Sequence, residues 1–260
     1  MNQGQLRNLR VYVDDRIGWL EYNRPPVNAF DWDMLRGVPS ALTTLIEDPS
    51  VRVIVIASAL EKHFNTGADL RVFENLRGTE MREWVGICHE IVHIIRSSPK
   101  PLLAAINGIA VGGGLEITWH CDLRFAAADA RIGQPEVNIA FVPPIGATQA
   151  LARLIGRPRA LRFLYEGRLL PANEALELGL VDFVVTPERL REEVSAFARR
   201  LAAKPANALA SIRRCVTIGG AMSFDEGLAV EFEEAVKLAD SPNFTEGIRA
   251  FLDKRAPAWR

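Results

Sequence analysis

Two glycine-containing segments of this sequence could present backbone N–H groups to a ligand. In segment 64–70, Gly67 permits a sharp turn that would leave the N–H of Ala68 pointing into a cleft. In segment 105–116, the glycines 112–114 lie between an apolar strand and the start of a helix, where unpaired N–H groups meet the positive end of the helix dipole. The first segment by itself is equally compatible with an ordinary turn before a helix.

The glycine cluster at 112–114 lacks the features of a phosphate-binding loop. It has neither the spaced glycines of a dinucleotide fingerprint nor a Gly-Lys-Ser/Thr ending. A carbonyl oxygen on which negative charge develops suits it better, because N–H groups at a helix start stabilise an oxyanion. The sequence therefore predicts an enzyme that holds an oxyanion on backbone groups.

Glu116 and Glu136 are the candidate acid and base. Glu136 follows a proline and leads into an apolar run, so we expect poor hydration to raise its pKa and keep it protonated. Glu116 is expected in the first turn of a helix, where the dipole would hold it ionised. Either residue alone is compatible with a surface glutamate. Together, and beside two N–H sites, they form a pair with opposed environments.

The elements that must position these groups follow an alternating pattern. Apolar periodicity predicts two strands joined by a tight turn, then a helix capped by Asp31, then a buried strand, which is a β-β-α-β order. A further helix and two strands follow, and two amphipathic helices close the chain. The predicted strands are 11–13, 17–22, 53–57, 102–106 and 123–127, and the predicted helices in the first half are 31–47 and 81–96.

Composition and charge exclude several classes of protein. Hydrophobic residues at 48% and charged residues at 24% are typical of a globular domain that builds its own core. With 31 basic and 32 acidic residues and no block of like charge, we expect no nucleic-acid partner. The apolar runs are too short to cross a bilayer and segment 1–10 lacks a signal-peptide core, so we expect no membrane partner. Three widely spaced cysteines favour reduced thiols and a cytoplasmic location; they are Cys88, Cys121 and Cys215.

The site segments resemble those of a known family, the crotonase superfamily, also called the enoyl-CoA hydratase/isomerase family. Its three site motifs are similar to Phe-Asn-Thr-Gly-Ala-Asp-Leu at 64–70, the stretch 107–116, and Gly-Gln-Pro-Glu at 133–136, in the same order. Segments 24–29, 172–179 and 246–255 also look familial, so the resemblance covers essentially the whole chain.

The resemblance implies an α/β fold, a crotonase-like spiral of β-β-α turns. The spiral core would occupy residues 1–204, and a helical C-terminal trimerisation region would occupy residues 205–260. A homotrimer or a homohexamer is the implied assembly. The implied substrate is an acyl-CoA thioester, with no metal and no separate cofactor, because coenzyme A is part of the substrate.

The resemblance also implies roles for individual residues. By motif position, the N–H groups of Ala68 and Gly113 would hold the thioester oxygen. Glu116 and Glu136 would handle water and the α-carbon proton, as in an enoyl-CoA hydratase. We further expect substrate contacts at Gly67, Asp69, Leu70, Gly112 and Pro144.

The segment after Glu136 departs from the family pattern. Hydratases carry Pro-Gly-x-Gly-Gly-Thr-Gln, whereas residues 143–149 read Pro-Pro-Ile-Gly-Ala-Thr-Gln. Pro144 has no N–H, so water must be oriented differently or not used in the usual way. Ile145 and Thr66 are bulkier than expected and could reshape the acyl pocket. An enoyl-CoA isomerase and an acyl-CoA thioester hydrolase are therefore alternatives, and a catalytically silent acyl-CoA-binding or RNA-binding relative is a third.

One motif points to different chemistry. His89, Glu90 and His93 match the pattern H-E-x-x-H on a predicted helix, and Glu116 follows at a spacing that a third zinc ligand could have. Both histidines flank the apolar stripe of that helix, where a solvated histidine is the usual outcome. A zinc metalloprotease is accordingly the distant alternative.

Overall fold

Strands and helices alternate along most of the chain. They are taken from a computed structural model, which describes residues 7–74 and 76–259. The predicted spiral core begins at residue 1, so its first six residues lie outside the described part. The strands are β1 (Leu9–Asp14), β2 (Ile17–Tyr22), β3 (Val53–Ser58), β4 (His63–Asn65), β5 (Leu102–Ile106), β6 (Ile109–Val111), β7 (Leu123–Ala127), β8 (Arg131–Gly133), β9 (Leu169–Pro171) and β10 (Phe183–Val185). The helices are α1 (Trp32–Glu47), α2 (Leu70–Phe73), α3 (Gly78–Ser97), α4 (Gly112–Thr118), α5 (Ala147–Leu154), α6 (Arg157–Glu166), α7 (Ala172–Leu178), α8 (Leu190–Ala202), α9 (Ala206–Thr217), α10 (Phe224–Ala239) and α11 (Pro242–Leu252). Short 3-10 helices lie at Pro135–Ile139, Pro187–Arg189 and Gly219–Ala221.

Two sheets form the centre of the protein. The larger sheet has the strand order β1-β2-β3-β5-β7-β10, in which β1 and β2 are antiparallel and the other neighbours are parallel. The smaller sheet has the order β4-β6-β8-β9, in which only β8 and β9 are antiparallel. Parallel neighbours require crossover connections, which the helices supply.

Each turn of the chain gives one strand to each sheet. β3 joins the larger sheet and β4 the smaller one, and the pairs β5 with β6 and β7 with β8 repeat this arrangement. Helices α2 and α3 separate the first pair from the second, and α4 separates the second from the third. The predicted α/β spiral of β-β-α turns is therefore confirmed.

The hydrophobic core lies around the larger sheet. Strands β3 and β5 are buried almost throughout, as expected for apolar runs covered on both faces. Helix α8 packs against this sheet, and α1 packs against α3. The predicted cap of α1 is confirmed, since the Asp31 side chain accepts a hydrogen bond from the Met34 N–H at 2.8 Å.

The last three helices, α9 to α11, carry apolar side chains on their surface. Phe224, Phe232 and Phe251 are 80%, 66% and 83% exposed. Helix α9 is held to the core by Arg213, whose Nε lies 2.9 Å from an oxygen of Asp122. The division of the chain at residue 205 stays a prediction. Within residues 7–74 and 76–259, no helix combines the length and the apolar character needed to span a bilayer.

Candidate active site

Three predicted site groups follow the carboxyl ends of neighbouring parallel strands. Ala68 follows β4, Gly113 follows β6, and Glu136 follows β8, and β6 lies between the other two strands in the smaller sheet. The carboxyl ends of parallel strands meet at one edge of a sheet, where α/β proteins bind their ligands. All three residues line one cavity of about 250 Å³.

The hydrogen bonds on either side of Ala68 leave its own N–H available to a ligand. Phe30 donates its N–H to the Gly67 carbonyl at 2.7 Å and accepts the N–H of Asp69 at 2.8 Å. This parallel bridge uses the groups on either side of Ala68, so the N–H of Ala68 itself points away from Phe30. Gly67 makes the turn possible with φ +77°, a region that other residues rarely adopt.

The start of helix α4 supplies the second N–H group. Gly113 is the second residue of this helix, so its N–H has no acceptor within the helix. A Cβ atom on Gly113 would lie 2.9 Å from Cδ1 of Ile145, and one on Gly112 would lie 2.9 Å from Oε1 of Glu136. Glycine at these two positions leaves room for the side chains of Ile145 and Glu136, and the φ of +56° at Gly112 also favours glycine there.

Gly114 has a different neighbour, the side chain of Asn65. A Cβ atom on Gly114 would lie 2.2 Å from Oδ1 of Asn65. The same oxygen accepts the N–H of Gly67 at 2.8 Å. Asn65 therefore ties helix α4 to the turn that presents Ala68. Asn65 lies within the motif at 64–70, but no local pattern reveals its role, since the contact with Gly114 joins segments that are far apart in the chain.

Glu116 is fully buried and does not line the cavity. Its Oε2 accepts the N–H groups of Ile145 at 2.8 Å and Ala147 at 3.1 Å, and its Oε1 has no hydrogen-bond partner among the described residues. Burial, and secondly the nearby charge of Glu136, raise the pKa of Glu116 to about 8. The expectation that the helix dipole holds Glu116 ionised is wrong. Helix α4 begins at Gly112, so Glu116 lies beyond its first turn.

Glu136 faces the cavity from the 3-10 helix Pro135–Ile139. Only 8% of the residue is exposed, and burial raises its pKa to about 7, in the direction that the sequence predicted. Its Oε2 has no hydrogen-bond partner among the described residues. The two glutamates do not have opposed environments, because burial raises the pKa of both.

His120 holds the loop that binds Glu116. Its Nε2 lies 2.7 Å from the carbonyl oxygen of Ile145. Burial lowers the pKa of His120 to about 4, so the ring is neutral at physiological pH, and its Nε2 must carry the proton because a carbonyl only accepts. Sequence reasoning missed His120, since its partner lies 25 positions away and no local pattern marks the contact.

The remaining predicted substrate contacts divide into two groups. Gly67, Leu70, Gly112 and Pro144 line the cavity. Asp69 is not among the lining residues, so its side chain has a different place from the one expected. It accepts the Arg71 N–H at the start of α2 and forms an ion pair with Arg24 at 3.1 Å.

The zinc alternative lacks a complete set of ligands. His89, Glu90 and His93 lie on exposed positions of helix α3. Glu116, the third ligand that this alternative needs, is buried beside the cavity instead. Among residues 7–74 and 76–259, no three histidine, cysteine or acidic side chains are grouped so that they could hold a metal ion.

Comparisons with known proteins agree with this geometry. The family model described as enoyl-CoA hydratase/isomerase matches residues 14–260. A crotonyl-CoA hydratase from Syntrophomonas wolfei is 34% identical, over 95% of this chain and 96% of that protein. A short-chain-enoyl-CoA hydratase from Clostridium acetobutylicum is 30% identical, over 96% of this chain and 97% of that protein.

Solved structures give the same result. The crystal structure of an enoyl-CoA hydratase from Bacillus anthracis superposes with a TM-score of 0.92 at 33% identity, covering 97% of this chain and 98% of that one. The fold expected from the motifs is thus found along nearly the full length. By its sequence, its fold and the arrangement of its site, the chain belongs to the enoyl-CoA hydratase/isomerase family.

Proposed function

We propose that the chain adds water across the 2,3 double bond of an enoyl-CoA thioester. The observation that supports this proposal best is the placement of Ala68, Gly113 and Glu136 around one cavity, while the buried Glu116 accepts the N–H of Ile145, which lines the same cavity. The N–H groups of Ala68 and Gly113 would receive the thioester oxygen.

The proposed reaction moves charge onto that oxygen and back. The oxygen of water forms a bond to the β-carbon, and the double-bond electrons shift through the α-carbon onto the thioester oxygen. Two N–H donors stabilise the resulting enolate, each by about 2.7–4 kcal/mol. Electrons then return to the α-carbon, which takes a proton. One carboxylate accepts the proton from water and the other carboxyl group donates to the α-carbon, roles that Glu116 and Glu136 fill as a pair.

The pKa values suit such a pair near neutral pH. Burial raises the pKa of Glu136 to about 7 and that of Glu116 to about 8, so between these values the pair carries about one proton. Below this window both groups are protonated and no base remains. Above it both are ionised and no acid remains. We therefore expect a bell-shaped dependence of kcat/KM on pH with limbs near these values.

A second candidate is isomerisation of the double bond. It is favoured by one observation, that Glu136 lines the cavity whereas Glu116 does not. A single carboxylate can move a proton between two carbons of an enoyl-CoA without water. Pro144, which also lines the cavity and has no N–H, is consistent with this candidate.

One assay separates the candidates. The consumption of crotonyl-CoA is monitored through the loss of its conjugated thioester absorbance, and the product is identified by mass. A gain of one water supports hydration, an unchanged mass with a shifted double bond supports isomerisation, and release of free thiol supports a hydrolase.

Glu136→Gln should lower kcat by about 10²–10⁴ while coenzyme A binding persists. Glu90→Gln, an exposed position on α3, is the matched control and should leave kcat unchanged.

Three further proposals concern the cofactor requirement, the assembly and the location of the enzyme. We propose that it needs no cofactor or metal, so dialysis against a chelator should not change kcat. We propose a homotrimer or homohexamer, supported by the exposed aromatic side chains of α10 and α11, and sedimentation velocity would measure it. The cytoplasmic location stays a prediction from the cysteine pattern.

A further inference from the structure

We infer that the acyl group bound by this cavity is uncharged and carries an aromatic ring, so that the preferred substrates are aryl-substituted enoyl-CoA thioesters. This inference rests on the proposed function and adds a substrate class to it. Three properties of the cavity support it: the absence of cationic side chains in its lining, the arrangement of the aromatic rings, and its volume.

The described part of the lining provides no cationic side chain that would pair with a second carboxylate. Among the described residues, no arginine, lysine or histidine lines the cavity. The polar side chains Thr66 and Asn138 donate elsewhere, to the carbonyls of Val27 at 3.2 Å and Gly167 at 3.2 Å. Glu136 would repel another carboxylate. Burying an unpaired charge is strongly unfavourable, so acyl groups derived from dicarboxylic acids are disfavoured.

Aromatic side chains form much of the cavity wall. The ring of Phe73 meets the ring of Trp84 edge to face, at 5.2 Å and 87°, and meets Phe141 in the same way, at 5.4 Å and 88°. Phe30 also lines the cavity. The rings of Phe73, Trp84 and Phe141 pack against one another, and a wall of packed rings favours a ligand ring, which can add further edge-to-face contacts. A flexible alkyl chain gains no such contacts and loses more rotational freedom.

The volume of the cavity fits such a group. Its volume is about 250 Å³. An apolar protein cavity of about 150 Å³ is large enough for benzene. The space therefore accommodates a six-membered ring together with the few carbons that separate it from the thioester. Leu35 and Trp84 are fully buried at the cavity wall, which limits how much longer a chain can be.

Two matched pairs of thioesters test this inference in the dehydration direction. The first pair is 3-hydroxy-3-phenylpropanoyl-CoA and 3-hydroxynonanoyl-CoA, which have the same number of acyl carbons. We expect kcat/KM to favour the aryl substrate by about tenfold. The second pair is 3-hydroxypentanoyl-CoA and 3-hydroxyglutaryl-CoA, which differ by a carboxylate. We expect the charged member to be about a hundredfold poorer.

Two variants test whether the aromatic side chains of the cavity wall cause the preference for the aryl substrate. Phe73→Leu removes the ring that joins Trp84 and Phe141, so it should lower the aryl-to-nonanoyl ratio of kcat/KM toward one. Phe183→Leu is the matched control, because Phe183 also contacts two rings, Phe125 and Phe197, but does not line the cavity. This control should keep the wild-type ratio, which separates a change in the wall from a general loss of stability.

The outcomes distinguish this inference from the proposed function. Dehydration of 3-hydroxybutanoyl-CoA without preference for the aryl substrate, or with equal use of the charged substrate, would overturn the inference and leave the hydratase proposal intact. A Phe73→Leu variant that keeps the full aryl preference would also overturn it. Dehydration of none of the thioesters would overturn the proposed function itself.

Discussion

Replacing Glu116 by glutamine removes a buried ionisable group while keeping its shape. The amide oxygen of glutamine can still accept the N–H groups of Ile145 and Ala147, which lie 2.8 Å and 3.1 Å from the present oxygen. The cavity and the fold should therefore be preserved. What changes is the free energy of placing a negative charge in the core when the pH rises.

The size of this effect follows from the pKa of Glu116. Burial raises that pKa from its ordinary 4.5 to about 8. Because the folded-state value is the higher one, the group stabilises the fold most at low pH, and this stability is lost as the pH rises to about 8. The complete loss corresponds to about 5 kcal/mol, of which about 3 kcal/mol falls between pH 6 and pH 8.

Guanidinium unfolding at pH 6 and at pH 9, at one protein concentration, measures the effect. Wild type should lose about 3 kcal/mol more than Glu116→Gln between the two values, because the glutamine has no proton to release. Glu90→Gln, which changes an exposed glutamate, should lose as much as wild type. If Glu116→Gln shows the same loss as wild type, the assignment of a raised pKa to Glu116 is refuted.

Three further substitutions test the geometry of the site. Gly114→Ala places a Cβ atom 2.2 Å from Oδ1 of Asn65, so the turn before Ala68 should shift, and kcat should fall by about 10²–10³, as measured with crotonyl-CoA. His120→Phe removes the hydrogen bond to the Ile145 carbonyl, which should cost about 1–3 kcal/mol in urea unfolding. It should also move the alkaline limb of the pH profile upward, because the N–H donors that lower the pKa of Glu116 would be less well placed; an unchanged limb would contradict the positioning role. Ile145→Ala frees the space above Gly113 and should raise kcat/KM for an α-methyl enoyl-CoA relative to crotonyl-CoA by about tenfold. A ratio that stays constant would show that Ile145 does not limit this part of the cavity.

The sequence predicts the elements of this fold well where local chemistry determines them. Asp31 is recognisable as a helix cap, and the structure places its carboxylate on the first turn of α1. The apolar run at 53–57 is found as strand β3 at Val53–Ser58, and the helix predicted at 81–96 extends from Gly78 to Ser97. Patterns of this kind depend on neighbours in the chain, so they can be read without knowing the fold.

The protonation state of the site could not be predicted in the same way. The donors to Glu116 come from Ile145 and Ala147, 29 and 31 positions away. Its complete burial depends on segments that are distant in the chain, among them the one that contains Ile145. The local position of Glu116 suggests only the helix dipole, whereas desolvation, which depends on the packed structure, is the larger effect here.

The place of Asp69 shows a similar limit. The motif suggested a substrate contact, whereas its carboxylate caps α2 and pairs with Arg24. Arg24 also pairs with Asp31 at 2.7 Å, so one guanidinium links the starts of two helices. A motif locates a segment at the site, but only the packed structure tells which of its side chains face inward.

The placement of Ala68 and Gly113 after neighbouring strands has a consequence for how the chemistry can vary. The segments that carry them leave adjacent parallel strands, which lie about 4.8 Å apart, and the Asn65 side chain fixes one segment against the other. The two N–H groups do not depend on the side chains of their own residues, because the main-chain ladder and the contact between Asn65 and Gly114 hold the two segments. The side chain after β8, by contrast, can be exchanged without disturbing that ladder. The chemistry at this cavity can therefore change through the residue after β8 while the two N–H groups keep their places.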